Sequence, residues 1–534
     1  MATTLNFKDI VDLPEWRPTS PAPSTSVVGE CLAFDLRNTS DKNPYLWHLA
    51  GTTTLEKYIK TNDEWLVTAA YTAVGVTPAA GSGIIFVPTA GPAGVVGATP
   101  SPAKITLATL PFSATVGINQ FANSGDGVGF KIKVMDNGAG GTGKTEERTI
   151  IANTAGATPT VYFDTPLSFT PVAGSTYEMI SGRIYILSSG TTAAGYWKAF
   201  DIATQTISGN LNVTNLAATI ALDFQAVMLD ERYVPWNHLP GEGMIDGGGT
   251  YNGGLNKCIV ATAADGTHIT GSGMQADLLA DEFKNYIVHI VEDATNPTAV
   301  GQRRLISTHT PGATGQFTVA AWAVTPSATA KFVVENNNDL LLWTNGATVT
   351  YSYKAGGFAA DANWSTAAAS GGAIQYANPP AAMGAGAMVE SCFSIVPDTA
   401  KSARNSHIIW FRGVGTNTMY VLDIAGGANG VWTAAQVYGN QGQVFNPGSC
   451  SAHDAATNQG RYTYICVNGT QRFMRFDLLN RVIEPWCYLR FAPSTAVVGG
   501  KVATATFVDG ATKLGVLYCI QCTSANMFQC LLQR

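Results

Sequence analysis

Two stretches of this chain are versions of one another. "EERTIIANTAGATPTVYFDTPLSFTPVAGSTYEMI", Glu146 to Ile180, lies over "GQRRLISTHTPGATGQFTVAAWAVTPSATAKFVVE", Gly301 to Glu335. Arg148 falls on Arg303, Thr170-Pro171 on Thr325-Pro326 and Tyr177 on Phe332, each pair 155 positions apart, with one small gap near a shared Gly-Ala-Thr. A backbone built twice needs nothing that only one copy carries. Whatever folds the segment must therefore be found in both.

That constraint decides the reading of "NGAGGTGKTEER", Asn137 to Arg148, which fits the phosphate-binding loop pattern: Gly138, four residues, then Gly143-Lys144-Thr145. In such a loop backbone N–H groups wrap phosphate, the lysine reaches the terminal phosphates and the hydroxyl holds magnesium. It works only between a strand and a helix N-terminus. Phe130 to Met135 alternates as a half-buried strand does, so the strand side is present. After Thr145 only seven residues precede the turn cluster Asn153-Thr154-Ala155-Gly156-Ala157-Thr158-Pro159. They include the β-branched Thr149-Ile150-Ile151, which predicts a second strand and no helix. The other copy reads Asp293-Ala294-Thr295-Asn296-Pro297-Thr298-Ala299-Val300 here, without Gly-Lys-Thr, and sets Val319 or Ala320 against Asp164, a carboxylate otherwise placed to hold magnesium. The glycines are expected to make a hairpin connection, with no nucleotide cofactor.

At 534 residues there is room for about three ordinary domains. Charged residues make up 13%, against about 25% in a typical soluble protein, while Gly, Thr and Ala abound. Such a surface is polar through hydroxyls and backbone, which suits strands and loops held in a large assembly. The net charge of −6 gives no general attraction for nucleic acid or anionic lipid. "MATTLNFKDIVDLPEW" lacks the basic start and apolar stretch of a secretory signal, and no run approaches the ~18 apolar residues of a membrane span, so a cytosolic place of synthesis and no membrane are expected. Nine cysteines, at 31, 258, 392, 450, 466, 487, 519, 522 and 530, form no disulfide framework and read as buried thiols. Cys519 and Cys522 are the only close pair, too few for zinc.

A second phrase recurs outside the duplicated region: an aromatic or Leu, then Asp, then an aliphatic, with a further aromatic about ten residues on. It occurs at Phe34-Asp35-Leu36, Phe200-Asp201-Ile202, Leu422-Asp423-Ile424 and Phe476-Asp477-Leu478, more weakly at Leu229-Asp230. Strands are predicted over Ile184 to Leu187, Leu340 to Trp343, His407 to Phe411, Tyr462 to Val467, Leu514 to Ile520 and Met527 to Leu532. Short antiparallel strands in units of roughly 40 to 50 residues predict propeller blades. The first Asp phrase lacks preceding strands and the end of the chain lacks a following phrase, so the two are expected to complete one blade together. The Asp itself is expected to cap a turn. The expected fold class is all-β, a discontinuous β-propeller-like domain with two inserted small β-barrel or β-sandwich modules. Residues 1–85, 181–250 and 336–534 form the propeller, with module 1 at 86–180 and module 2 at 251–335. One short helix is predicted over Gln275 to Phe283.

Little in the chain points to chemistry. The seven histidines show no metal-binding spacing, and His453-Asp454 has no nucleophile phrase to join it. Glu242 and Asp246 stand in a glycine cluster that could hold calcium, but two carboxylates fall short of six to eight oxygens, so a loop is expected. Asp281-Glu282 and Glu146-Glu147 read as solvated. Catalytic, cofactor-binding and metal-ligating residues are thus all expected to be absent.

"DIVDLPEWRPTSPAP", the "GKTEERTIIANTAGATPTVYFDTPLSFTPVAGSTYE" module and its second copy resemble structural proteins of tailed-bacteriophage virions, in particular of the tail or head–tail region. In size and layout the chain is similar to propeller-bearing nozzle proteins of short-tailed phages. The resemblance implies a homo-oligomeric, sixfold ring in the virion tail, assembled in the host cytoplasm. It would contact an adaptor or portal above and fibres or a tip below, and pass DNA without gripping it. A peripheral appendage binding a host receptor or glycan is the alternative, and a polysaccharide hydrolase a third.

Overall fold

The computed structural model describes residues 16–532 apart from 26–31, 36–44, 60–61, 68–81, 88–89, 124–128, 189, 192–196, 218, 221–223, 229–248, 251–256, 273–279, 282, 336–338, 356–362, 385, 394–405, 414–415, 417, 425, 436–438, 440–444, 446–448, 455–461, 468–471, 479, 489–501, 510–511 and 521–524. The protein is all-β: its helical turns among the described residues are short 3-10 turns, such as Pro111–Ser113 and Pro297–Ala299. The helix expected from Gln275 falls largely outside the described residues, and Ala280, Asp281 and Phe283 to Asn285 are turns.

Six small antiparallel sheets follow one another along the chain. The first is Leu32–Asp35, Tyr45–Leu49, Leu55–Ile59 and Glu64–Leu66. The second is Gly83–Val87, Arg183–Leu187, Trp197–Asp201 and Thr206–Ile207, and the third Gln225–Met228, Asp339–Trp343 and Tyr351–Lys354. Met388–Phe393 to Val431–Ala435 make the fourth and Cys450–Asp454 to Val482–Tyr488 the fifth. The sixth is Val502–Asp509, Thr512–Ile520 and Met527–Leu532, with Trp16–Pro18 added along Met527–Leu532, Trp16 opposite Cys530. Both ends of the chain thus share a sheet, as expected, but through a different strand. The Asp35 phrase opens the first sheet; it is Trp16–Pro18 that completes the last.

Large rings link the first five sheets in turn. Trp47 meets Phe200 at 5.7 Å, Tyr185 meets Tyr353 at 6.0 Å, Trp343 meets Trp432 at 6.1 Å and Phe411 meets Phe476 at 5.4 Å. Cys450, Tyr464, Cys466, Leu517, Cys519 and Cys530 share one core between the fifth and sixth sheets, so these cysteines are buried thiols that fill volume. Tyr518 then meets Tyr58 at 5.9 Å, which returns the succession from the sixth sheet to the first. Pairs of this geometry add about 1 kcal/mol each beyond their buried area.

The duplicated segments lie between the first and second strands of the second and third sheets. Each contributes six strands. In chain order these are Ala93–Val95, Lys104–Thr106, Lys131–Met135, Thr145–Asn153, Thr160–Phe163 and Thr176–Ile180 in module 1. In module 2 they are Lys257–Ala264, His268–Ser272, Ile287–Glu292, Arg303–Thr310, Gln316–Val319 and Lys331–Glu335. Numbered one to six, they pair in the same order in both, 1-6-3-4-5-2. In module 2 the first and second strands also pair and close a six-stranded barrel; in module 1 that seam is a single bridge, Val96 to Leu107. Alternation decides which side chains fill each barrel: Ile132, Val134, Ile150, Val161, Tyr177 and Met179 are buried inside module 1, while Lys131 and Lys133 point out.

Candidate functional site

The glycine loop is a connection between two strands. Lys131–Met135 and Thr145–Asn153 pair directly, Met135 opposite Thr145, so the chain turns back where a phosphate loop would enter a helix. Four of the loop's backbone donors, those of Gly138, Gly141, Thr142 and Gly143, are already used. Gly141 N bonds Gly138 O, Gly143 N bonds Asp136 O and Gly138 N bonds the Ser175 hydroxyl. The fully buried Asp136 carboxylate accepts from Thr142 N at 2.6 Å, Thr142 Oγ1 at 2.8 Å, Val172 N at 2.9 Å and Ser175 Oγ at 2.8 Å. The protein supplies its own anion to the nest, and those donors are not open to a phosphate. Lys144 is exposed and bonds Asp136 N through its carbonyl.

Module 2 solves the same turn with the same residue type. Asp293, also buried, accepts from Thr295 N, Asn296 N, Ser327 N and Ser327 Oγ at 2.7–3.1 Å. Phe163 and Val319 occupy matching places opposite Ile150 and Ile306, which sets Asp164 against Ala320. Asp164 accepts from Thr149 N and Thr165 N, a local turn contact.

These two connections meet. Asp293 N donates to Gly143 O at 2.8 Å, and a Cβ on Gly143, whose φ is +69°, would lie 1.9 Å from Asp293 O. Asn137 donates from Nδ2 to Val300 O at 2.8 Å and to Thr176 Oγ1 at 2.9 Å, while its Oδ1 accepts from Thr176 N. Beside them lies a group of charges in a chain otherwise short of charge. Arg303 of module 2 holds both oxygens of Glu178 in module 1, Nη2 to Oε2 at 3.0 Å, and donates from Nε to Glu335 at 3.1 Å. His289 Nδ1 lies 2.7 Å from the other Glu335 oxygen, and Lys133 lies 3.9 Å from Glu178. Burial opposes the charge on Glu178, but Arg303 and Lys133 outweigh it and hold the carboxyl at about 2. Glu335 is likewise held well below the usual carboxylate range, against its burial, by His289 and Arg303. Burial, with Arg303 adding, pushes the fully buried His289 below its ordinary value despite the pull of Glu335. Glu147, opposite Lys133, is raised by burial. At neutral pH the seam therefore carries the ion pairs of Arg303 with Glu178 and Glu335, with His289 beside them on Glu335.

The remaining residues singled out from sequence are placed by structural contacts. Asp201 accepts from Thr204 N and Oγ1 and pairs with Arg183 at 3.1 Å, and Asp477 accepts from Asn480 N, so both cap turns as expected. Asp423 receives Gly426 N through its carbonyl. One expectation fails: Glu146 is buried, bonded by Ser168 N at 3.0 Å and by Arg148, so it is not a solvated acid, while Asp281 is half-buried and accepts from His309 N at 2.9 Å. His453 is buried 3.3 Å from Thr463 Oγ1. Cys522, Glu242, Asp246, Glu282 and Asp230, and the side chains of Asp35 and Asp454, lie outside the described residues. Among the described residues no group of three or more His, Cys, Asp or Glu is placed to hold a metal ion. Nor is any helix long and apolar enough to cross a membrane.

Sequence reading passed over His48 and Glu56, buried partners at 2.9 Å, as well as Arg303, Glu178 and Glu335. His48 and Glu56 sit opposite one another in a hairpin, a register the sequence could have suggested. The seam offered no such signal: the strand pairing sets Arg148, opposite Ile132, in the place of Arg304, opposite Val288, one position off the sequence alignment with Arg303.

The sequence matches no protein-family model, and no curated protein matches it. Among solved structures the chain is similar to a structural genomics protein of unknown function from Bacteroides thetaiotaomicron, with 11% identity and a TM-score of 0.22 over 50% of this chain and 68% of that one.

Proposed function

We propose that this protein is a non-enzymatic structural component of a tailed-bacteriophage virion, a subunit of a ring at the tail nozzle, hub or head–tail connector, with the six small sheets as blades of one β-propeller. The propeller reading draws on the aromatic contacts that pass in turn from the first sheet to the fifth and from the sixth back to the first, on the core shared by the fifth and sixth, and on the sheet shared by Trp16–Pro18 and Met527–Leu532. The virion reading draws on the resemblance of the opening segment and of the duplicated module. The observation that carries the functional reading is the seam. Arg303 and Glu178, groups of the kind an active site uses, are consumed in bracing one module on the other, and Glu335 and Asp136 in bonds within their own modules beside that seam. A part that serves by fitting its neighbours needs such rigid inserts. In a ring, a chain of net charge −6 lets DNA pass without holding it.

The test is placement. Reconstruction of particles containing the protein is expected to show it as a ring about the tail axis. Peripheral placement would favour a glycan- or receptor-binding appendage, and release of sugar from host envelope by the purified chain would make it a hydrolase.

A further inference from the structure

Because both modules share one strand order, each outward position in one has a counterpart in the other. Both also break the pairing of their fourth and fifth strands with a bulge at the same place. Ile150 pairs with Phe163 and Ala152 with Tyr162 in module 1, Ile306 with Val319 and Thr308 with Thr318 in module 2. The bulged residue is Ile151 in the first and Ser307 in the second. Across the fifth strand Tyr162 faces Lys104, and Thr318 faces His268.

One end of module 1 therefore presents Ile151, 57% exposed, with Tyr162, 37% exposed, and the Lys104 ammonium 6.0 Å from the Tyr162 ring. Ile118, 74% exposed, borders them, since Asn119 N bonds Asn153 O just beyond the bulge. The matching end of module 2 presents Ser307, Thr318 and His268, with the Asp265 carboxylate 3.0 Å from His268 and 63% exposed. One end is apolar, aromatic and cationic; its counterpart is polar with an exposed acid. A shared backbone does not require that divergence.

The seam uses the third and sixth strands of each module with the start of the fourth. The ends just described use the second and fifth strands and the far part of the fourth, on the opposite side of each barrel. Joined at the seam, the module pair turns its two unlike ends away from each other. Identical copies that meet through unlike faces associate head to tail, and such contacts form rings when the rotation closes. We infer that the Ile151–Tyr162–Lys104 end of module 1 docks on the Asp265–His268–Ser307 end of module 2 in the next copy of this chain. Charge complementarity of Lys104 with Asp265 sets the partner and the orientation, and Ile151 and Tyr162 supply the buried contact. The inference rests on the ring reading above and names the surfaces that make the ring.

The test is assembly of the full-length chain, read by native mass spectrometry and sedimentation velocity. Asp265 caps its own turn through Thr267 N and His268 N, so the acidic end is altered at the exposed Ser307 instead. Lys104→Glu and Ser307→Lys are each expected to weaken assembly by about tenfold, and the double variant to recover most of it. Ile151→Asp is expected to weaken it at least as much, with circular dichroism and melting unchanged. If the wild-type chain forms rings and none of these variants alters them, the docking faces are wrong while the ring stands. A double variant that stays dissociated would overturn the pairing of these two ends. A wild-type chain that remains monomeric at all concentrations overturns both the docking and the ring.

Discussion

Replacing Arg303 with Met tests whether the seam is held by charge. The guanidinium serves Glu178 across the seam and Glu335 within its own module, and it is 26% exposed on its side chain. Methionine keeps most of the packing volume and removes every donor, leaving two carboxylates in a largely buried site. Breaking a buried pair at one partner costs about 3–5 kcal/mol, and the partial exposure places this case at the low end, about 3 kcal/mol. The titration of Glu178 gives a similar figure: lowering a carboxyl from 4.5 to about 2 corresponds to about 3 kcal/mol at neutral pH. The sign follows from the direction. A depressed carboxyl stabilises the fold above its unfolded value and loses that contribution as pH falls toward its folded one. The cost of Arg303→Met is therefore expected in full at pH 7 and at less than half by pH 3. Native-state hydrogen exchange, followed in Thr176–Ile180 and Lys331–Glu335, reads the local opening energy without requiring the whole chain to unfold in one step. A loss below about 0.5 kcal/mol at pH 7, or one that is the same at pH 3, would refute the reasoning.

Three further outcomes are expected. Lys144→Ala leaves stability within about 0.5 kcal/mol, whereas Asp136→Ala strands four donors, the buried Ser175 hydroxyl among them, and costs about 2 kcal/mol in chemical denaturation; the reverse ranking would restore a role to the lysine. Gly143→Ala combines a φ of +69° with a Cβ 1.9 Å from Asp293 O, so it is expected to cost at least about 2 kcal/mol and to raise hydrogen exchange at the seam. Burial lifts the Asp339 carboxyl to about 7. An acid raised in the folded state loses stability as pH rises from its unfolded value to its folded one. Asp339→Asn is thus expected to gain about 4 kcal/mol on wild type between pH 4 and pH 8, and melting curves that keep a constant offset would count against it.

The strands were legible because their pattern is local. Ile132 and Val134 alternate with Lys131 and Lys133, and the β-branched run through Ile151 ruled out a helix after Thr145 without any knowledge of the fold. Self-comparison gave the second module its fold, because a backbone built twice had to manage without Gly-Lys-Thr. It also left Asp164 facing either Val319 or Ala320, and only the pairing of the bulged strands chooses Ala320. What stayed illegible is non-local. Glu146 looked like one of two solvated acids because Ser168, which bonds it, is a loop residue on the far side of a strand. Glu178 and Arg303 carry no mark of each other, being 125 positions apart and joined only when two barrels pack. The Asp35 phrase misled for a similar reason: what selects the strand beside Met527–Leu532 is not the recurring phrase but the edge left open there, and Trp16–Pro18 fills it.

That edge has a consequence for synthesis. Thr19 bonds the carbonyl of Met527, 508 positions away, and Ala22 bonds Ala525, so the strand Trp16–Pro18 cannot take its final place until residues through Met527–Leu532 have left the ribosome. Contacts of such separation form slowly, and an unpaired strand edge awaiting its neighbour is a site for wrong partners. Premature stops and early deletions should therefore give the same product, a chain with one raw edge that aggregates instead of accumulating as a shortened subunit.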